Sequence, residues 1–319
     1  FDAVFASAIA ACFIPVFSEY LEKKGRQEAF RFAGSFLTII ALLTGALTLA
    51  GMVFPQPLVA LFADYSDPAT TRLAVSLTRV MFPTVLLSGM AFSLVGVLQA
   101  QDHFTAPALM SAVSNGAIIL YFFTLDAKLG IYGLAGAYLL GWLLQAVILV
   151  PPLGRLGFQY RPGFDFRSEG MKKVFALMGP VMVSTWVQPI NQAINGRFGS
   201  RLYGGAGMSA LEYASNLYLV IAGIFILSVT NVIFPRLSRL TAGGHEGEFW
   251  DTIRQTLGVC LFLVLPMSAG LTAVARPLIS LIYGGGAFDA FSTEITASAL
   301  AWMSLGMTGY AVQNILSRA

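Results

Sequence analysis

The sequence predicts an all-α membrane protein, a polytopic transmembrane helix bundle folded as two parallel, pseudo-repeated lobes around a central cavity. Three observations predict it. Hydrophobic residues make up 56% of the 319 residues and charged residues only 11%, where a soluble domain carries roughly 25% charged. The apolar residues fall into blocks of about 20, the length that carries an α-helix across a bilayer. Two apolar hexamers also recur in a single register, 220 positions apart.

The blocks predict nine spans, at roughly 2–20, 31–54, 72–99, 106–125, 130–152, 172–198, 208–236, 250–275 and 291–316. Pro107 falls in the first turn of the fourth span, where a missing N–H costs nothing. Pro83 and Pro189 fall inside spans, where they should kink or break the helix and free backbone carbonyls. Pro57–Ala63 and Pro277–Tyr283 read as short apolar extensions along the interface. The chain opens at Phe1 and closes at Ala319 inside helical runs, so a piece of a longer chain is expected.

Charge sets the orientation. Lys23, Lys24, Arg26 and Arg31 follow the first span. Arg155, Arg161, Arg167, Lys172 and Lys173 follow the fifth, Arg236, Arg239 and Arg254 the seventh, and Arg318 the ninth. These are thirteen of the 19 basic residues. The opposite loops carry Asp64, Asp67, Asp126 and Asp289. By the positive-inside rule the basic side is cytoplasmic.

The repeat orders the helices. Phe13–Ser18 (FIPVFS) recurs as Ile233–Ser238 (IFPRLS), and Pro57–Phe62 (PLVALF) recurs as Pro277–Ile282 (PLISLI). Glu28 and Glu248 share the offset. The first span thus corresponds to the seventh, six crossings later, and an even number of crossings preserves orientation. Parallel repeats related by an axis along the membrane normal characterise rocker-type transporters with a site between lobes near the midplane. The expected organisation is an N-terminal lobe over 1–153, a cytoplasmic crossover linker over 154–171 and a C-terminal lobe over 172–319.

Polar residues inside spans are costly and mark functional candidates. The sixth span is the richest, with Ser184, Thr185, Gln188, Asn191, Gln192, Asn195 and Arg197, followed by Arg201. Gln188, Asn191, Asn195 and Arg201 are spaced to share one face. They either line a cavity or hydrogen-bond neighbouring helices. Arg79, one turn before Pro83, either grips an anion or snorkels to the outer interface. Asn115, Gln145 and Asn231 read as contacts between helices.

Other chemistry finds no support in the residues. The net charge of +3 is small and the basic residues form no single patch, so no nucleic-acid partner is expected. Cys12 and Cys260 sit in apolar blocks and read as small buried hydrophobes. Gly284-Gly285-Gly286 lacks the Lys-Ser/Thr of a phosphate loop and reads as a turn. His103 and His245 have no ligand spacing to other residues, and no catalytic constellation stands out. Neither a cofactor nor a metal is expected, and the protein is not read as an enzyme.

Four stretches resemble the MurJ/MviN family of lipid II flippases, within the superfamily of polysaccharide exporters and multidrug extrusion antiporters. They are Ala6–Tyr20 (ASAIAACFIPVFSEY), Gly96–Pro107 (GVLQAQDHFTAP), Tyr213–Ser238 (YASNLYLVIAGIFILSVTNVIFPRLS) and Leu281–Thr293 (LIYGGGAFDAFST). On this likeness the chain covers the family's second to tenth helices and sits in the bacterial cytoplasmic membrane. The resemblance implies transport of an undecaprenyl-linked, pyrophosphate-bridged cell-wall precursor by alternating access, through a cavity lined with cations. An ion gradient or membrane potential is the implied energy source, and cell-wall synthesis proteins are implied partners.

The arginine that many members carry near the start of the eighth helix stands here as Asn216, and the one at the entry of the second falls at or near Asp2. Arg197 and Arg201, with Gln188, Asn191 and Asn195, are therefore the expected anion grip, joined by Asn216 and Arg79 as candidates. Other expectations are an exporter of a different polyprenyl-linked oligosaccharide, a cation-coupled drug antiporter, or a membrane scaffold for cell-wall synthesis. The acids Glu19, Asp126 and Glu212 lie near helix ends, whereas an antiporter would bury one.

Overall fold

The computed structural model describes residues 9–166, 168–242 and 246–316; within these, the side chains of 182–185, 187–188, 225, 227–239, 241–242 and 246 are not described. Asp2, Arg167, His245 and Arg318 lie outside the described residues, as do the side chains of Ser184, Thr185, Gln188, Asn231, Arg236 and Arg239.

The described residues are overwhelmingly helical. After a π-helical turn at Ile9–Phe13 come α1 (Ile14–Lys23), α2 (Arg26–Val53), α3 (Pro55–Phe62), α4 (Pro68–Met81), α5 (Pro83–Gln99), α6 (Thr105–Thr124) and α7 (Asp126–Arg155). Then follow α8 (Glu169–Arg201), a 3-10 turn (Leu202–Gly205), α9 (Ala206–Ala242), α10 (Glu246–Tyr283), α11 (Ala290–Leu305) and α12 (Met307–Leu316). Five stretches among the described residues are long and apolar enough to cross a membrane: Arg26–Val53, Pro68–Gln99, Thr105–Thr124, Asp126–Arg155 and Gly247–Tyr283. Their low burial suits a lipid solvent. The apolar window of Thr105–Thr124 is only 11% buried, and Phe123, Phe262 and Trp302 are exposed.

Proline punctuates the spans unevenly. Pro83 divides the third span into α4 and α5, as its position predicts. Pro180 and Pro189 do not divide the sixth, because α8 continues through both. Pro55 starts the separate helix α3, whereas Pro277 is absorbed within α10. The two apolar extensions therefore differ, one detached from its span and the other continuous with it. The ninth span breaks at Gly306, between α11 and α12. Gly130 adopts φ 52° and ψ −145°, a conformation that favours glycine, so the regular part of α7 begins after it.

The chain forms two compact units that divide between Asn195 and Gly196. The first is built on stacked aromatics. Phe13 lies 4.4 Å from Phe36 and 5.4 Å from Phe17, and Tyr20 lies 4.8 Å from Phe32. Met171 and Val174 of α8 complete this core. Such rings bury large apolar area and add a preference for particular geometries.

The segment after α7 is pinned to α2. Gly163 donates its N–H to Thr38 Oγ1 at 3.4 Å, and the Tyr160 and Thr38 hydroxyls lie 3.0 Å apart. At Gly34 an added Cβ would stand 2.6 Å from the Arg161 carbonyl oxygen, so the close approach requires glycine. The entry to α8 is tied to α1: Lys173 bonds Glu19 at 2.8 Å, Lys24 bonds Glu169 at 3.2 Å, and the Gly170 N–H donates to Tyr20 Oη at 2.9 Å.

The second unit packs α9, α10, α11 and α12 around Ile226, Val264, Ile279, Leu300 and Met307. Cys12 and Cys260 are both free and buried. Gly284–Gly286 form the turn after α10, with the Gly285 N–H facing the Phe288 carbonyl.

The repeat extends into tertiary contacts. Thr48 on α2 donates to the Phe82 carbonyl at 3.4 Å, and Ser268 on α10 donates to the Ser304 carbonyl at 2.6 Å. The donors lie 220 positions apart and the acceptors 222. Asp67 and Asp289, also 222 apart, cap corresponding helices: Asp67 accepts from the Ala69 and Thr70 amides, and Asp289 from the Ser292 amide. Each unit thus pairs an offset-220 helix with an offset-222 helix, the loop in the second being two residues longer.

Candidate functional site

Helix α8 carries the densest polar set. Its 33 residues extend about 50 Å at 1.5 Å per residue, more than the roughly 30 Å hydrocarbon core. Glu169 begins it beside the basic loops; with that side cytoplasmic, as the charge bias predicts, Asn191 and Asn195 fall in its outer half and Arg197 and Arg201 in its last turns. Asn195 Nδ2 donates to Asn191 Oδ1 at 3.0 Å, across one turn, and both residues are exposed. Arg197 and Arg201, four apart, are exposed as well, and the Ser200 hydroxyl donates to the Arg197 carbonyl. Asn191 and Asn195 belong to the first unit, Arg197 and Arg201 to the second. Asn216 is exposed on α9.

Arg79 stands in a different place. Its Nε donates to the Met52 carbonyl at 3.0 Å, and its side chain lines an open cavity of about 440 Å³ between α3 and α4. The wall also includes Gln56, Val59, Asp64, Arg72, Val75 and Ser76. Arg72 and Ser76 stand among Thr70, Thr71, Thr78 and Arg79 near a helix start, where polar residues are common and draw less attention than amides within α8. Only alignment of the two repeats points to them. Asn115 is exposed, and Gln145 is buried within the first unit.

The buried polar side chains described are hydroxyls, apart from Gln145. Most hydroxyls bond a carbonyl within their own helix, as Thr44 does to Ile40 and Ser93 to Gly89. This is how a small polar group is accommodated in an apolar bundle. On α8 the amides and guanidinium groups stand instead at exposed positions, where Asn191 and Asn195 bond each other.

A family model described as "Lipid II flippase MurJ" matches residues 3–319. The chain belongs to the MurJ family. This is a transporter family, and its members are multi-pass proteins of the bacterial cytoplasmic membrane, as this chain is.

Among curated members, the probable lipid II flippase MurJ of Buchnera aphidicola is 28% identical over all of this chain and 62% of its own length. The lipid II flippase MurJ of Burkholderia cenocepacia is 27% identical, over 97% of this chain and 61% of its own. The chain therefore spans about three fifths of the curated MurJ proteins it matches. A solved lipid II flippase MurJ in an inward closed conformation superposes with a TM-score of 0.80 at 26% identity, over 99% of this chain and 68% of that one. An inward-facing multidrug transporter of the MATE family shares the fold, with a TM-score of 0.76 at 14% identity.

Proposed function

We propose that the full-length protein containing this chain is a flippase. It carries lipid II, the undecaprenyl-pyrophosphate-linked peptidoglycan precursor, from the inner to the outer leaflet by alternating access between two lobes. The observation that carries this reading is the likeness to the solved lipid II flippase, with a TM-score of 0.80 at 26% identity across 99% of the chain. Residues 1–153 and 172–319 serve as the lobes and 154–171 as the crossover between them.

The chemistry asked of the protein is binding rather than bond-making. A pyrophosphate in a low-dielectric passage must be held by charge-assisted donors. Arg197 and Arg201 supply charge, while Gln188, Asn191 and Asn195 supply amide donors on the same helix. At Asn216 an amide takes the place where many relatives carry a guanidinium, which leaves α8 to provide more of the grip. An ion gradient or membrane potential drives the cycle, and the flipped precursor passes to cell-wall synthesis proteins.

The test is translocation of lipid II by the full-length protein in proteoliposomes under an imposed membrane potential. Movement above that of empty liposomes is expected. Failure to move lipid II, with the same sample transporting another polyprenyl-linked sugar, would keep the fold and replace the substrate.

A further inference from the structure

In the second unit Arg276 on α10 pairs with Glu294 on α11, Nε to Oε2 at 3.2 Å. In the repeat register Arg276 corresponds to Gln56, at offset 220, and Glu294 to Arg72, at offset 222. Where the second unit places a cation beside a neutralising carboxylate, the first places an amide beside a second cation. Arg79, the partner of Ala301 in the same register, adds another cation two turns further along α4. These changes surround the cavity of about 440 Å³.

We propose that this cavity binds the phosphate head group of a lipid on the outer side of the membrane. The charge balance favours an anion: Arg72 and Arg79 line the cavity against one carboxylate, Asp64. The nearby Asp67 carboxylate is engaged mainly by the Ala69 and Thr70 amides and the Thr70 hydroxyl, and only weakly by the charge of Arg72. The Met52 carbonyl anchors Arg79 Nε, which orients the guanidinium while leaving its terminal nitrogens as donors. Ser76 lies between the two arginines along α4, and Val59 and Val75 give the cavity an apolar wall.

Depth identifies the ligand as a lipid. The loop before α4 lies opposite the basic loops, so both arginines sit in the outer half of the span, against the prevailing charge bias. A guanidinium there is stabilised by a phosphate at head-group level, with acyl or prenyl chains running down the apolar side. Phospholipid and polyprenyl pyrophosphate share this chemistry. The inference does not depend on which lipid the protein translocates, since it concerns binding alone.

The experiment is native mass spectrometry of the full-length protein with phosphatidylglycerol, undecaprenyl pyrophosphate, diacylglycerol or inorganic phosphate added separately. Retention of at least one of the two anionic lipids, but not of diacylglycerol, is expected. Arg72→Gln should weaken that retention about tenfold, and Arg72→Gln with Arg79→Gln further, as charge-assisted contacts are lost. Arg276→Gln, at the paired site, should leave it unchanged. Loss confined to phosphatidylglycerol assigns the site to a phospholipid, and loss confined to the pyrophosphate assigns it to a polyprenyl carrier.

Arg72 is exposed, and the Asp67 cap beside it is held mainly by Thr70 and Ala69, so the single variant remains informative if the double one does not fold. Retention unchanged in the Arg72→Gln variant, an equal loss in Arg276→Gln, or binding of inorganic phosphate without either lipid would overturn the proposal.

Discussion

Ser268 donates its hydroxyl hydrogen to the main-chain carbonyl of Ser304 at 2.6 Å, one residue before α11 ends. Thr48 makes the corresponding bond to Phe82 at 3.4 Å, immediately before Pro83 opens α5. Both acceptors sit at a break in a span, where the helix ladder cannot satisfy every carbonyl. The Phe82 carbonyl also accepts the Val85 N–H at 3.0 Å and the Ser304 carbonyl the Gly306 N–H. Where lipid offers no water, a hydroxyl from the adjacent helix supplies a further donor. The two units solve the same problem at the same place, although Thr has become Ser and the Pro-containing break has become a Gly-containing one.

Ser268→Ala should therefore destabilise the full-length protein by about 1 kcal/mol, the scale of hydrogen bonds between membrane helices. Thr48→Val should cost less, because its bond is longer. Thermal unfolding in detergent, followed by circular dichroism, checks the order. A larger loss for Thr48→Val would mean that the hydroxyl is not what stabilises the break.

Tyr20→Phe should cost about 1–2 kcal/mol, because the Gly170 N–H near the start of α8 loses its buried acceptor. Tyr20 also stacks on Phe32, and phenylalanine keeps that contact, so the change isolates the hydrogen bond. Hydrogen exchange at Gly170 should accelerate in the variant while the Phe13–Phe36 region stays protected.

Gly34→Ala should displace the 159–165 segment from α2. The new methyl would meet the Arg161 carbonyl at 2.6 Å, and overpacking of this kind costs about 1–3 kcal/mol. A cysteine at Tyr160 should react faster with an aqueous maleimide in the Gly34→Ala background than in the parent. Equal rates would show that the segment yields without leaving.

The caps at Asp67 and Asp289 carry a pH dependence. Hydrogen bonds from Thr70 to Asp67, and from Ser292 to Asp289, hold each carboxyl below its ordinary value. A depressed carboxyl contributes stability above its unfolded pKa, and that contribution disappears as pH falls through the folded value. The first turns of α4 and α11 should thus loosen only below about pH 4. Asp67→Asn keeps a cap but removes its titration, so the acid loosening of α4 should vanish, as read by exchange at Ala69 and Thr70 against Asp67→Ala.

Arg197→Ala and Arg201→Ala together should reduce lipid II transport at least tenfold if α8 grips the pyrophosphate, each lost charge-assisted contact being worth about that factor. Transport by the double variant at the parental rate, with normal expression, would remove both residues from the site.

Much of this architecture can be read from residue order alone. Apolar blocks of bilayer length and two hexamers 220 positions apart define the membrane environment and the repeat, and one-sided basic loops predict the orientation. Each follows from a local or periodic rule: burial in lipid, charge asymmetry, and retention of side chains at equivalent helix ends. The break at Pro83 was legible because proline removes a donor wherever it stands. The continuity of α8 through Pro189 was not, because neighbouring turns decide whether a helix bends or parts.

The candidate site divides in the same way. Asn191 and Asn195 stand out in sequence as amides in an apolar run, and their pairing follows from helical spacing. Arg72 does not stand out, being a polar residue near a helix end like many others. Its significance comes from Gln56, Arg79 and Ser76 on the walls of one cavity, and from the Arg276–Glu294 pair that occupies the equivalent place in the second unit. Sequence determined the helical membrane character and the repeat, since those depend on side-chain type at each position. Only the tertiary structure decided which cations are neutralised, since that depends on which side chains two packed helices bring within a few ångströms.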